Sequence, residues 1–180
     1  MTSMSQSNLV VTALGEDKPG IVNELSRTVM DCGCNIEDSR MAVLGGEFAV
    51  ILLVSGNWNT IAKLETQLQS VGGRLNMTVV TKRTGGRTAT GDLLPYVADV
   101  VAIDHPGIVY SLASFFSSRN INIEEMQTSS YRAAHTGTPM FSVHIEIGVP
   151  SDVHIAQLRE AFLDFCDELN LDGVLEPLKG

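Results

Sequence analysis

The chain has little of what secretion, nucleic-acid binding or catalysis would require. Only three of its 180 residues are cysteines, at Cys32, Cys34 and Cys166. Three thiols form no even disulfide framework, and free thiols suit a reducing cytoplasm. Cys32-Gly-Cys34 is tighter than the C-x-x-C of metal and redox sites, so small apolar fillers near a helix end is the simpler reading. Long hydrophobic runs are missing too. The stretch "FAVILLV" at Phe48–Val54 falls far short of the ~20 residues that a membrane span needs. The opening "MTSMSQSN" has neither the basic nor the apolar region of a secretory signal. A cytoplasmic protein with no membrane partner is the expectation.

Basic residues are scarce: 12 against 21 acidic ones, for a formal net charge of −9. Residues 1–90 hold 8 basic and 8 acidic residues and residues 91–180 hold 4 and 13, so the whole excess sits in the second half. Affinity for phosphate backbones comes largely from Lys and Arg displacing counterions. The densest cationic stretch, "TKRTGGR" at Thr81–Arg87, has three cations and reads as a solvated linker. Direct nucleic-acid binding is not expected.

Constellations for chemistry are also lacking. His105, His135, His144 and His154 stand in neither H-x-x-x-H nor H-E-x-x-H spacing, and no nucleophile elbow, Walker A or G-x-G-x-x-G stretch is found. His144 alternates with Val143 and Ile145 and is expected to face solvent from a strand. Glu37-Asp38 and Glu124-Glu125 recur, but adjacent strand residues point to opposite faces, which makes them poor acid/base pairs. The expectation is no enzyme, no metal and no cofactor.

What the chain does contain is itself, twice. "EDKPGIVNEL" at Glu16–Leu25 returns as "IDHPGIVYSL" at Ile103–Leu112, 87 residues on. With that offset Leu9–Leu14 falls on Tyr96–Val101, Leu25 on Leu112, Val29 on Phe116, and "CNIED" at Cys34–Asp38 on "INIEE" at Ile121–Glu125. After six inserted residues Phe48, Val50, Leu52 and Val54 match Phe141, Val143, Ile145 and Ile147. Shifted by one more, Ile61 and Leu64 match Ile155 and Leu158. Order, type and spacing agree, as duplication requires.

Each repeat reads as β-α-β-β-α-β. A Val/Leu/Ala-rich strand (Asn8–Leu14; Tyr96–Ile103) leads into a helix whose buried face is Ile21, Val22, Leu25 and Val29, or Ile108, Leu112, Phe115 and Phe116. Gly33 and Asn120 stand where a left-handed residue would end that helix. A strand opens near Asn35 and Asn122, a hairpin returns through Phe48–Val54 or Phe141–Ile147, and a second helix follows. The last strands are expected near Arg74–Lys82 and Leu171–Leu178. The fold class is α+β: two ferredoxin-like βαββαβ units, each an antiparallel sheet with two helices on one face. The first spans residues 1–83, the linker 84–92 and the second 93–180.

The repeated Asp-x-Pro-Gly-Ile-Val lies between a strand's carboxyl end and a helix's amino end. Asp17 and Asp104 are placed to cap the helix, with Pro19 and Pro106 in its first turn. Gly20 and Gly107 remove a Cβ and allow close approach to backbone N–H groups at the positive end of the helix dipole. That arrangement suits a small carboxylate. It is equally a good strand-to-helix corner, and both readings stand. Asn35 and Asn122 likewise read as caps of a chain reversal or as amides offered to an amino-acid ligand.

A βαββαβ unit with this motif after its first strand resembles the ACT domain, a regulatory amino-acid-binding module. Two such units, with "NIED" and "NIEE" opening the second strands, are similar to the glycine cleavage system transcriptional repressor family. The resemblance implies ligand binding where ACT domains pair, at Asp17, Gly20, Ile21 and Asn35 and at Asp104, Gly107, Ile108 and Asn122. It implies a small amino acid as ligand, glycine being the family's candidate, a transcription-factor protein as partner, and a homo-oligomer such as a dimer. Lys18 and His105 differ within the motif, so the two sites need not be equivalent. Other ACT units serve deformylases and nitrogen sensors, so a regulatory subunit of a metabolic enzyme and a ligand-free dimerisation module stand as alternatives.

Overall fold

A computed structural model gives the fold, with residues 5–85 and 91–180 described. The chain divides into two compact units, Met1–Thr88 and Ala89–Gly180. The first runs β1 (Ser7–Glu16), α1 (Ile21–Asp31), β2 (Asn35–Leu44), β3 (Glu47–Gly56), α2 (Trp58–Leu75) and β4 (Met77–Thr84). The second repeats that order as β5 (Leu93–Ile103), α3 (Ile108–Ser117), β6 (Asn122–Arg132), β7 (Pro139–Pro150), α4 (Ile155–Glu168) and β8 (Asp172–Pro177). Of the expected linker, Thr84 closes β4, and residues 86–90 lie outside the described residues.

The sheets have strand orders β2-β3-β1-β4 and β6-β7-β5-β8, and every neighbouring pair is antiparallel where its register is given. β1 and β5 are therefore central, as the apolar runs predict. Alternation decides which face is covered. Leu9, Val11 and Ala13 of β1 meet Ile21, Leu25 and Val29 of α1 and Ile61, Leu64 and Leu68 of α2 in one core. Burying an aliphatic side chain of this size stabilises by roughly 1.5–3 kcal/mol. Val22, expected on the buried face, is exposed: it lies about 100° round the helix from Ile21, just past the edge of the face that Ile21, Leu25 and Val29 turn to the sheet.

The second core is built alike but with aromatic filling. Phe115, Phe116, Phe162 and Phe165 pack with ring centroids 4.9–5.8 Å apart, at distances that favour edge and offset contacts. Where helix two crosses the last strand, the repeats exchange sizes. A Cβ on Gly72 would lie 2.7 Å from Val79 Cγ2, and a Cβ on Gly173 would lie 2.7 Å from Cys166 Sγ. Gly72 matches Cys166 and Val79 matches Gly173 in the repeat register. Each unit puts its bulk on the opposite element.

Helix ends follow the expected chemistry in part. Gly33 (φ 78°) and Asn120 (φ 58°) end α1 and α3 in the left-handed conformation. The next N–H reaches back, Cys34 to Val29 O at 3.0 Å and Ile121 to Phe116 O at 3.0 Å. α2 is longer than expected and takes in Arg74, so β4 begins at Met77. The reason lies in its ends: Asn57 and Thr60 form a reciprocal capping box, and Asn76 turns left-handed to stop it.

Candidate functional site

The motif turns do not cap their helices as the sequence suggests. In both units the cap residue is the glycine, Gly20 at φ 92° and Gly107 at φ 94°, with no side-chain hydrogen bond to the helix. Asp17 and Asp104 lie three residues earlier, and Pro19 and Pro106 precede the helix rather than opening its first turn. The left-handed glycine uses one more residue to swing the chain over, which carries the Asp carboxylate away from the first N–H groups. The positive φ explains the glycine: the space a Cβ would occupy is open at both positions.

The turns are nonetheless well fixed. The N–H of Asp17 donates to Gly46 O at 3.2 Å, and that of Asp104 to Pro139 O at 2.9 Å, tying each turn to its neighbouring hairpin connection. Glu24 N–H donates to Gly20 O, and Ser111 N–H to Gly107 O, each at 3.0 Å. Those bonds close the first helical turns and leave the N–H groups of Ile21–Asn23 and Ile108–Tyr110 without intrahelical acceptors. The side chains of Ile21 and Ile108 are each 2% exposed and belong to the cores, so these residues can offer a ligand only their backbone. Asp17, Gly20, Asp104 and Gly107 are exposed, as are Lys18 and His105. His105 Nδ1 lies 3.0 Å from Pro106 O.

Asn35 and Asn122 are not brought to these turns. Asn35 pairs with Ser55, which pairs with Asn8 at the start of β1, whereas the turn follows Glu16 at its other end. Eight residues separate those ends, roughly 27 Å at about 3.4 Å per residue. Asn122 pairs with Gly148, which pairs with Pro95, again eight residues from Ile103. Both Asn residues instead serve a β-bulge. Asn35 Nδ2 donates to Glu37 Oε1 (3.2 Å) and Asn122 Nδ2 to Glu124 Oε1 (3.4 Å), where the register shifts between Ile36 and Asp38 and between Ile123 and Glu125. Ser55 Oγ also donates to Glu37, and these hydrogen bonds, that from Ser55 foremost, hold its carboxyl below the usual range.

The bulge also changes the reading of the paired carboxylates. The extra residue cancels the alternation, so Glu37 meets Ser55 on the side that Asp38, opposite Leu53, also faces. Asp38 accepts from Arg40 Nη1 at 2.6 Å, which lowers its carboxyl pKa.

One cluster was not singled out in the sequence. His144 Nδ1 lies 2.6 Å from Asp99 Oδ1, and its Nε2 lies 3.6 Å from Glu146 Oε1. The hydrogen bond that His144 donates to the Asp99 carboxylate, then the charges of Asp99 and Glu146, raise the imidazole pKa despite partial burial. The antiparallel pairing of β7 with β5 sets His144 opposite Asp99, a placement that depends on strand register and not on local sequence. Among the described residues no group of three or more His, Cys, Asp or Glu could hold a metal ion, and no helix is long and apolar enough to cross a membrane.

Residues 7–82 match the family model described as ACT domain. Over 173 residues the chain is 38% identical to the glycine cleavage system transcriptional repressor of Escherichia coli (strain K12), covering 96% of this chain and 91% of that protein. The chain belongs to the glycine cleavage system transcriptional repressor family. A solved structure assigned to the same repressors is 32% identical, with a TM-score of 0.75 over 97% of this chain and 99% of that one. A protein of unknown function from Galdieria sulphuraria, 27% identical, superposes with a TM-score of 0.81 over 97% and 100% of the two chains. Tandem ACT architecture and a regulatory role follow from this membership. The family's full-length relative is named for regulation and not for a reaction.

Proposed function

We propose that the protein is a cytoplasmic regulator that binds a small amino acid at its two motif turns and controls glycine cleavage genes through a transcription-factor partner. Its working parts are two ACT domains, residues 1–83 and 93–180, joined by residues 84–92. The observation that carries the reading is the pairing, in both units, of a helix start without a side-chain cap and an exposed aspartate. The amino-terminal N–H groups suit a carboxylate. Asp17 and Asp104, released from capping, suit an ammonium group. Together they match the two charges of a free amino acid, and the open space at Gly20 and Gly107 leaves room for its approach. Glycine is the ligand that the relatives' name supports.

Ligand binding shifts a regulator only by its difference in affinity between two states. The net charge of −9 makes protein contact, and not DNA contact, the route of control. The test is calorimetry on the full chain with glycine and the other amino acids, beside a glycine cleavage reporter. Asp17→Asn with Asp104→Asn leaves the fold intact and weakens ligand binding at least tenfold, with loss of reporter control. Absence of binding by every amino acid, or unchanged affinity in the double variant, would overturn the reading.

A further inference from the structure

The two sheets each have one face covered by helices and one open face, and duplication makes the open faces comparable position by position. An antiparallel sheet with a solvated face alternates apolar-in with polar-out. The second sheet obeys this at its centre and along β7, where Asp99, Ser142, His144 and Glu146 stand on the open face, although Val101 and Val174 beside them are apolar. The counterparts of those four in the first sheet are Thr12, Ala49, Ile51 and Leu53. Around them the exposures are high for apolar groups: Leu14 49%, Ile51 46%, Val80 61% and Leu44 78%. The cores have been kept through the duplication, and the open faces differ along β3 and β7, where Ala49, Ile51 and Leu53 stand against Ser142, His144 and Glu146.

We infer that the open face of the first sheet is a homodimer interface, packed face to face on the same sheet of a second copy. The register supports a self-complementary match. Across the sheet one row reads Lys82, Val10, Leu53, Asp38, and the next reads Val80, Thr12, Ile51, Arg40. A twofold axis parallel to the strands reverses each row against itself. Val10 then meets Leu53 of the second copy, Thr12 meets Ile51, and Lys82 at one corner meets Asp38 at the other. The aligned strands of such a pair are the ordinary sandwich arrangement, about 10 Å apart.

The size of the face is sufficient. Four strands about 4.8 Å apart and seven residues at about 3.4 Å each make a face of roughly 19 by 24 Å. Two such faces bury on the order of 1,000 Å², the lower bound for a biological interface. An acidic partner surface fits less well, because Lys82 and Arg40 are the only cations in these rows and Arg40 already pairs with Asp38 at 2.6 Å. This inference stands apart from the ligand reading, since none of its residues belongs to the motif turns.

Sedimentation of the full chain tests it. The wild type is expected at twice the chain mass at micromolar concentration. Ile51→His with Leu53→Glu, which copies the second sheet's own residues onto the first, shifts it to the monomer while the circular dichroism spectrum is unchanged. Lys82→Glu sets two acids opposite each other and weakens the dimer about tenfold, and adding Asp38→Lys restores it. A monomeric wild type, or a dimer that survives the Ile51→His/Leu53→Glu change, overturns the interface. Failure of Asp38→Lys to restore the Lys82→Glu dimer overturns the strand-parallel register.

Discussion

The exchange of sizes between helix two and the last strand can be tested by moving it from one unit to the other. In the first unit Gly72 leaves room for Val79, whose Cγ2 would lie 2.7 Å from an added Cβ. Gly72→Cys overpacks that contact and costs about 1–3 kcal/mol. Val79→Gly removes a partly buried side chain and weakens the strand, at about 2–3 kcal/mol together. Independent effects would sum to about 3–6 kcal/mol. The double variant recreates the Cys166 and Gly173 arrangement, so it should recover about 1–3 kcal/mol of that sum. Trp58 is the only tryptophan and lies in α2, so its emission follows the first unit. In urea, with a slope near 1–1.5 kcal/mol per molar, a 2 kcal/mol change moves the midpoint by about 1.5 M. Additivity within about 0.5 kcal/mol would refute the reasoning, because the two positions would then not share one space.

Gly20→Ala meets no neighbour but must hold φ 92°, so urea unfolding should show a loss of about 1–2 kcal/mol, and Gly20→Asn a smaller one. His144 has its pKa raised by Asp99, so the pair stabilises the fold below the ordinary imidazole value and loses that effect as pH rises through the raised value. Both groups are well exposed, so the difference between wild type and His144→Gln should stay below about 1 kcal/mol in acid and vanish at alkaline pH. Burial pushes the Cys166 thiol up to about 11 and raises that of Cys32, so a thiol reagent at pH 8 should label neither until the chain unfolds.

The β-α-β-β-α-β order was legible because its signals are local. The alternation of Phe48, Val50, Leu52 and Val54 and the helical spacing of Ile21, Leu25 and Val29 need no knowledge of distant partners, and all seven are buried. The site was legible only in pieces. That Asp17 leaves the helix uncapped depends on one dihedral angle at Gly20, which composition does not reveal. That Asn35 stands at the far end of the sheet depends on strand order and register, which arise from pairing across long stretches of chain. The recurrence of "NIE" in both units was real but had a structural cause, the bulge that Glu37 and Glu124 help to hold.

A backbone bond ties each motif turn to the hairpin beside it, and the two hairpins differ where the motif does not. Gly46 and Pro139 are equivalent in the repeat register, yet the chain from Glu125 to Pro139 is six residues longer than that from Asp38 to Gly46. The acceptor has kept its place while the chain leading to it has changed in length. A hairpin is easier to lengthen than a strand-to-helix corner is to rewrite. The second connection is therefore free to change in length while every residue of the motif and its backbone bond to Pro139 stay the same. In a chain made by copying one unit, that is a way for two copies to diverge without either losing its shape.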